Sequence, residues 1–250
     1  MSVDPFSLAG KRILVTGASS GIGRQVAITC SEQGASIIVS GRNAERLDQT
    51  LQSLSGDGHS AVTADLTDSG QLAALADGAG QIDGLFFSAG IAAIAPFRMV
   101  TEKHIRQIMS IDFEAPVMLA QRLIQRRQIR DGGSIVFNTA VAVHISPAGS
   151  AIYSAAKSAL HASSRSIALE VAKNRIRVNC LQLGYIRTEL LERLLAAGMS
   201  EEEIAALAPL GIGTVDDAAC AAVFLLCDGS RWISRTALTA DGGLTLRVSH

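Results

Sequence analysis

Short apolar runs alternate with longer amphipathic stretches along nearly the whole of this 250-residue chain. Polar residues rarely interrupt these runs, which is typical of parallel strands covered on both faces. They predict strands at Ile13–Val15, Ile37–Val39, Ala61–Thr63, Leu85–Phe87, Ile135–Phe137, Ile176–Leu183 and Thr236–Ala240. The stretches between them predict helices at Ile22–Glu32, Ala44–Leu54, Ser69–Ala76, Thr101–Gln128, Ile152–Val171 and Val215–Cys227. This alternation predicts an α/β fold, a doubly wound parallel sheet flanked by helices.

The composition favours one domain over residues 1–250. Hydrophobic residues make up 48% of the chain, which is enough for a large core, and an α/β unit of this length can be one domain. No linker rich in Pro, Gly or Ser divides the sequence. The segment 188–209 breaks the rhythm, because it is helical and charged and follows a strand end, where an insertion can act as a lid over substrate. A pair of surface helices without that role is the alternative.

Charge and cysteine usage narrow the function classes. The net charge is -1 and the pI is near 6.5, so we expect neither nucleic acid nor a membrane as a partner. The four cysteines lie in apolar runs without Cys-x-x-Cys spacing, and we expect buried free thiols in a reducing compartment. The N-terminus lacks a basic start followed by an apolar stretch, which makes the cytoplasm the expected location. No histidine has a spacing that suggests a metal site.

A glycine-rich loop follows the first predicted strand. It reads Thr-Gly-Ala-Ser-Ser-Gly-Ile-Gly over 16–23, and a helix begins near Ile22. Glycines allow backbone N–H groups to approach a pyrophosphate closely, and a helix N-terminus adds a favourable dipole. A glycine loop alone is a weak signal, but its place between the first strand and the first helix indicates a dinucleotide site.

The end of the second strand bears on which dinucleotide binds. NAD-binding folds of this type usually carry an acid there for the ribose 2′-hydroxyl, and the sequence has Gly41 followed by Arg42. A guanidinium suits a 2′-phosphate, so NADP(H) is favoured over NAD(H). The alternative is that Arg42 caps a neighbouring helix end and that the protein does not discriminate. Asp65, at the end of the third strand, is placed to accept a hydrogen bond from an adenine amine.

Tyr153 and Lys157 are four residues apart in Tyr-Ser-Ala-Ala-Lys, so both side chains lie on one face of a helix. A lysine ammonium favours the phenolate, and we expect it to lower the tyrosine pKa from about 10. Such a tyrosine can exchange a proton with an alcohol or a ketone. Together with a bound nucleotide, the pair indicates hydride transfer between a nicotinamide and a carbonyl.

These motifs, in this order, resemble those of the short-chain dehydrogenase/reductases, particularly members like 3-oxoacyl-acyl-carrier-protein reductase. The similarity runs from Leu8 to Leu244 and includes the glycine loop, Asp65-Leu66, Ser88-Ala89-Gly90, Gly133–Val136, Tyr153–Lys157, Arg175–Asn179 and Asp241–Gly243. The resemblance implies a single Rossmann-type domain, commonly a homotetramer or a homodimer. It also implies that Tyr153 donates the proton and that Lys157 bonds the nicotinamide ribose. The matching positions give a cofactor-binding set of Gly17, Ser19, Ser20, Gly21, Ile22, Gly23, Arg42, Asp65, Leu66, Ser88, Ala89, Gly90, Tyr153, Lys157, Gly184, Ile186 and Thr188.

Two positions depart from the family's catalytic set. The family has a serine, which bonds the substrate oxygen, where this chain has Ala140, and an asparagine where it has Asp112. Losing one such donor can cost roughly a hundred- to thousandfold in rate. In the family, the backbone carbonyl at the asparagine position holds a water that reaches the lysine, and a backbone carbonyl survives substitution. A carboxylate at Asp112 would stabilise the ammonium of Lys157 if the two are close.

The loop after the fifth strand offers substitutes for the missing hydroxyl. His144 and Ser146 lie in it, and in the family this loop lines the substrate pocket, to which Ala140 and Tyr185 also belong. An ordinary structural hydrogen bond is the alternative for His144. Thr139 is adjacent, but strand alternation points its side chain to the other face. The predicted pocket is mostly apolar, which favours a small or medium apolar ketone as substrate.

The sequence therefore predicts an NADP(H)-dependent oxidoreductase of the carbonyl reductase type, with Tyr153 and Lys157 as its catalytic residues and no metal. The alternative is a nucleotide-binding protein with attenuated or non-standard catalysis, which the residues Ala140, Asp112 and Ser88 favour. The retained Tyr153 argues against that alternative, because a site without proton transfer has no chemical need for it. Lys157 could still be kept for ribose binding.

Overall fold

Seven parallel strands form one sheet in this computed structural model, which describes residues 4–196, 198 and 200–246. The strands are β1 (Arg12–Thr16), β2 (Ser36–Gly41), β3 (Ser60–Thr63), β4 (Ile82–Phe87), β5 (Ile129–Ala140), β6 (Arg177–Leu183) and β7 (Ala237–Ala240). Every predicted strand is confirmed, and so is the doubly wound α/β class. The order across the sheet is β3-β2-β1-β4-β5-β6-β7. Successive strands are added on one side of β1 up to β3 and on its other side from β4 onward, so the strand order reverses between β1 and β4. Such a reversal opens a crevice beyond the carboxyl ends of these two strands.

Helices cover both faces of the sheet. They are α1 (Gly21–Glu32), α2 (Ala44–Gln52), α3 (Ser69–Ala79), α4 (Glu102–Met109), α5 (Ala115–Gln125), α6 (Ala142–Ile145), α7 (Ala151–Val171), α8 (Glu189–Ala196), α9 (Glu201–Leu207) and α10 (Val215–Leu226). Side chains alternate along each strand. Val136 therefore belongs to the core cluster that includes residues of α1 and α10, whereas Phe137 belongs to the cluster that includes residues of α3, α5 and α7. None of the described helices combines the length and apolarity needed to cross a membrane.

The predicted helix Thr101–Gln128 is interrupted in its middle. A π-helical turn at Ser110–Glu114 separates α4 from α5, and the N–H of Ala115 bonds the carbonyl of Ser110. Pro116 explains the interruption, because proline has no N–H for the carbonyl four residues earlier, that of Asp112. The π turn leaves Asp112 buried beneath the sheet's carboxyl edge.

Two further expectations are met only in part. The charged segment 188–209 is helical, forming α8 and α9, although residues 197 and 199 within it lie outside the described part of the chain. Cys30, Cys180 and Cys227 are buried thiols as expected. The expectation is wrong for Cys220, which lies on the outward face of α10 and is exposed.

Arg177 fastens the end of α10 to the sheet. Its guanidinium is buried and donates to the carbonyls of Leu225 and Cys227 and to the hydroxyl of Ser230, at 2.8, 3.1 and 2.8 Å. The last carbonyls of a helix have no partner within the helix, so a buried donor must supply one. Arg177 thus joins β6, which carries the site at its carboxyl end, to the helix layer behind it.

We expect Arg177→Met to lower the free energy of unfolding by about 3 kcal/mol, because it removes three buried hydrogen bonds made by a charged donor. Urea unfolding followed by circular dichroism measures the change. Arg175→Met is the matched control, since this exposed neighbour should alter stability by less than about 0.5 kcal/mol. Equal stabilities for the two variants would show that the buried bonds contribute nothing.

Candidate active site

One cleft of about 970 Å³ contains both the glycine loop and the Tyr153–Lys157 pair. It lies beyond the carboxyl ends of β1, β4, β5 and β6, where the strand order reverses. The predicted cofactor-binding residues on its wall are Gly17, Ser19, Ser20, Gly21, Ile22, Gly23, Arg42, Leu66, Ser88, Ala89, Gly90, Tyr153, Lys157, Gly184, Ile186 and Thr188. The structure therefore brings together residues that are far apart in sequence.

The glycine loop is packed so closely that side chains would not fit. A Cβ on Gly17 would lie 2.7 Å from the amide nitrogen of Ala89, and Gly17 has a φ of +66°; a Cβ on Gly23 would lie 2.4 Å from the carbonyl oxygen of Gly17. The hydroxyl of Thr16 accepts hydrogen bonds from the amides of Ser88 and Ala89, at 3.2 and 3.4 Å. The loop thus rests on the β4 end, with the N-terminus of α1 facing the cleft. This arrangement fits a pyrophosphate.

Two arginines lie at the α2 end of the cleft. Arg42 lines it as predicted, and so does Arg46, on the first turn of α2. The guanidinium of Arg46 is 3.1 and 3.2 Å from the two carboxylate oxygens of Glu189, on α8. This ion pair crosses the mouth of the cleft. Sequence reasoning missed Arg46 because no motif marks it; its place one helical turn after the end of β2 was the available signal.

Asp65 does not line the cleft wall. Its carboxylate accepts from the amide and hydroxyl of Thr67, at 2.9 and 2.7 Å. These bonds, with the nearby charge of Arg42, hold the pKa of Asp65 below its ordinary value. The neighbouring Asp68 caps α3, accepting from the amides of Gly70 and Gln71. Contact between Asp65 and an adenine stays a prediction.

Tyr153, Lys157 and Asp112 form a compact group at the centre of the cleft. The Nζ of Lys157 lies 5.7 Å from the centre of the Tyr153 ring, 3.0 Å from Oδ1 of Asp112 and 3.1 Å from the carbonyl oxygen of Asn138, to which it donates. Both charged side chains are buried: 8% of Lys157 and 1% of Asp112 are exposed. A carboxylate and an ammonium this far from water stabilise each other only as a pair.

Burial and pairing set the proton affinities of this group. Burial alone would lower the pKa of Lys157, but the Asp112 carboxylate, Tyr153 and Cys180 together outweigh burial and the pKa is raised. Burial raises the pKa of Asp112 against the opposing effect of Lys157. The pKa of Tyr153 is also raised, because burial and Asp112 together outweigh Lys157. The expectation of a lowered tyrosine pKa is therefore wrong in its net sign, although Lys157 acts in the expected direction.

The substrate candidates divide into two groups. Ala140 lines the cleft beside Tyr153. His144 instead bonds the side-chain carbonyl of Gln182 through Nε2 at 3.0 Å, and the hydroxyl of Ser146 donates to the carbonyl of Ala142. Tyr185 packs against an apolar cluster of Val141, Ala208 and Leu244. None of these last three candidates is on the cleft wall, and their contact with substrate stays a prediction.

Thr139 follows the expected strand alternation. It is buried, and its hydroxyl donates to the carbonyl of Leu181 at 3.3 Å. Ala140 is thus not compensated by the adjacent hydroxyl in this arrangement. Across the described ranges, no three His, Cys, Asp or Glu side chains cluster in a way that could hold a metal.

Gly90 lies directly against the ion pair of Asp112 and Lys157. A Cβ there would lie 2.5 Å from Oδ1 of Asp112 and 3.5 Å from Nζ of Lys157. We expect Gly90→Ala to lower the free energy of unfolding by about 1–3 kcal/mol, because the buried pair must move. Thermal or urea unfolding measures it. Gly78→Ala, in α3 with open space around the new methyl, should instead raise stability by up to about 1 kcal/mol.

The chain is similar over almost its whole length to known enzymes. The family model for enoyl-(acyl carrier protein) reductase matches residues 17–245. Gluconate 5-dehydrogenase of Gluconobacter oxydans is 34% identical over 252 residues, covering 98% of both chains. A 3-oxoacyl-(acyl-carrier-protein) reductase of Chlamydia pneumoniae is 32% identical over 247 residues, covering 96% of this chain and 99% of the reductase.

A solved structure extends the similarity to three dimensions. The gluconate 5-dehydrogenase of Burkholderia cenocepacia, in complex with NADP and tartrate, has a TM-score of 0.90 and 28% sequence identity, covering 98% of this chain and 99% of that one. The seven-stranded parallel sheet flanked by helices agrees with these matches. The chain belongs to the short-chain dehydrogenase/reductase family of oxidoreductases.

Proposed function

We propose that this oxidoreductase transfers a hydride between NADP(H) and a carbonyl or alcohol substrate, with Tyr153 as the proton donor and acceptor. The observation that carries the proposal is the single cleft in which Tyr153 and Lys157 lie beside the glycine loop. A Cβ at Gly17 or Gly23 would collide with the protein backbone. The glycines therefore allow the tight strand-to-helix turn that presents the helix N-terminus to a pyrophosphate. When bound, the nicotinamide supplies the hydride.

The protein's own residues handle the proton and the orientation of the reactants. Tyr153 gives its phenolic proton to the oxygen of a carbonyl as that oxygen gains negative charge, or takes it back from an alcohol. The Lys157 ammonium has three N–H donors. One bonds the Asn138 carbonyl, and the Asp112 carboxylate lies 3.0 Å from Nζ as an ion-pair partner. A remaining donor is available to a ribose hydroxyl. Ser88 and Ala89 line the cleft between the glycine loop and the Tyr153–Lys157 pair, and their amides are held by hydrogen bonds to the Thr16 hydroxyl.

The arginines at the α2 end support NADP(H) over NAD(H). Arg42 follows β2 at the position where an acid would favour NAD, and Arg46 stands one turn further along. Two guanidinium groups on one wall suit a 2′-phosphate, which the ribose of NAD lacks. The NADP bound to the Burkholderia cenocepacia relative agrees with this preference.

The cleft wall near Tyr153 supports an uncharged carbonyl substrate. Its residues there include Ala140, Leu183, Ile91 and Ala92, whose side chains are apolar. A sugar acid such as gluconate, the substrate in the name of one relative, would need partners for a carboxylate and several hydroxyls. Assaying gluconate beside apolar ketones, β-ketoesters and quinones therefore tests the substrate class directly.

We also propose that the segment 188–209 acts as a lid over the cleft. Glu189 of α8 bonds Arg46 across the cleft mouth, which supports a lid role.

Met118 on α5 and Leu169 on α7 are 42% and 60% exposed, which supports burial of these helices in a homotetramer or a homodimer. The four thiols support a reducing location such as the cytoplasm.

Tyr153→Phe removes only the phenolic hydroxyl. We expect NADPH-dependent ketone reduction to fall by roughly a hundredfold or more, because the developing alkoxide loses its acid. NADPH affinity, measured by fluorescence titration, should be nearly unchanged. Tyr185→Phe deletes the same group at a position off the cleft wall and is the matched comparison. Turnover retained in Tyr153→Phe would exclude the assigned role.

Ala140→Ser separates the proposal from its alternative. If the protein is an ordinary reductase weakened by a missing donor, the serine should raise kcat, by up to roughly a hundredfold. If the cleft serves nucleotide binding or another chemistry, the added hydroxyl should bring no gain. Steady-state kinetics with the best substrate of the panel, at saturating NADPH, decides between them.

Arg42→Ala tests the cofactor preference. Loss of a charge-assisted contact to the 2′-phosphate should raise the Kd for NADPH by roughly tenfold or more. The Kd for NADH should change little, which makes NADH the internal control. The same pair of measurements on Arg46→Ala apportions the effect between the two arginines. An equal loss for both cofactors would mean that Arg42 serves structure rather than discrimination.

A further inference from the structure

We propose that Asp112 is a positioning residue: through its ion pair with Lys157 it keeps Tyr153 in the protonated phenol form, which suits the site to giving a proton to a carbonyl. Taking a proton from an alcohol is correspondingly disfavoured. This inference rests on the proposed function and names the protonation state of Tyr153 in that site.

The geometry holds the carboxylate firmly against the lysine. Oδ1 of Asp112 is 3.0 Å from Nζ of Lys157, and Oδ2 accepts from the amide of Ile91 at 3.3 Å. Gly90 closes the third side, since even a methyl group there would overlap Oδ1. The π turn places Asp112 from below, and 1% of its side chain is exposed. The carboxylate can neither swing out to water nor give up its partner at low cost.

The charge balance then determines what Tyr153 experiences. A lone ammonium 5.7 Å from the ring would favour the phenolate. With a carboxylate at 3.0 Å from that ammonium, the pair is neutral overall, and Asp112 opposes part of the effect of Lys157 on the tyrosine. Burial in the cleft disfavours the phenolate further. The pKa of Tyr153 is accordingly raised, with burial as the main cause and Asp112 adding to it.

Other titratable groups near the pair do not reverse this balance. Cys180, on β6, faces Lys157, and burial raises the pKa of its thiol, so it stays neutral. On α4, His104 bonds the carbonyl of Ala93 through Nε2. On α6, His144 bonds Gln182. Asp112 is thus the carboxylate that acts on both Lys157 and Tyr153.

The chain offers a direct optical test, because it contains only two tyrosines, Tyr153 and Tyr185. In a Tyr185→Phe background, the near-ultraviolet absorbance of tyrosinate reports the titration of Tyr153 alone, without any turnover. We expect this titration above the ordinary value of about 10. Adding Asp112→Asn, which keeps the side-chain shape and removes the charge, should lower the apparent pKa by about one unit or more.

Glu114→Gln is the matched control. It neutralises an exposed carboxylate on the same π turn and should leave the Tyr153 titration in place. A titration that Asp112→Asn leaves unmoved or moves upward overturns the proposal. If Asp112→Asn does not fold, the background variant still decides: a Tyr153 that titrates below about 10 overturns the proposal.

Kinetics separate this inference from the proposed function. The rate of alcohol oxidation should rise with pH as Tyr153 deprotonates, and Asp112→Asn should shift that rise towards lower pH by about one unit or more. The rate of ketone reduction should fall at alkaline pH as Tyr153 loses its proton, and in Asp112→Asn this fall should begin at a pH lower by the same amount. A Tyr153→Phe enzyme with full turnover would overturn the proposed function, whereas unshifted profiles alongside a dead Tyr153→Phe overturn only the role of Asp112.

Discussion

Burial of the Lys157 ammonium is the constraint on which most of the site depends. A charge withdrawn from water needs a counter-charge and hydrogen-bond acceptors, and each one here comes from a different element. The carboxylate of Asp112 comes from the π turn, and the carbonyl of Asn138 from β5. Gly90, after β4, leaves the space in which the pair fits. The centre of the cleft is therefore specified by backbone geometry as much as by the catalytic side chains.

Hydrophobic pattern predicted the frame of this structure well. Strand runs such as Ile135–Phe137 are buried on both faces and are too apolar to be anything but core, so their positions follow from sequence. The interruption around Asp112 was not predicted, because its cause, Pro116, lies inside an otherwise regular helical pattern and is tolerated by shifting to i→i+5 bonding. The four-residue α6 is too short for periodicity to detect.

The sequence predicted the site residues that belong to short motifs. It did not predict those whose role depends on a partner far away along the chain. The glycine loop and the Tyr153–Lys157 pair line one cleft as their spacing implies. Arg46 was missed because its significance depends on Glu189, far away along the chain. The sign of the Tyr153 pKa was misjudged because local sequence shows Lys157, which lowers this pKa, but shows neither the shielding of the half-buried tyrosine from water nor the nearby carboxylate of Asp112.

The ion pair between Arg46 and Glu189, which links α2 to α8 at the cleft mouth, is sensitive to the salt concentration of the solution. Both side chains are about half exposed, 48% and 51%, so dissolved ions reach them, and at a physiological Debye length of about 8 Å their attraction is only partly preserved. A nucleotide phosphate bound at Arg46 would weaken the attraction to Glu189 in the same way as a dissolved anion. On the proposed function, a cofactor phosphate and the Glu189 carboxylate would compete for the same guanidinium, so cofactor binding would loosen this contact between α2 and α8 without any movement of the sheet.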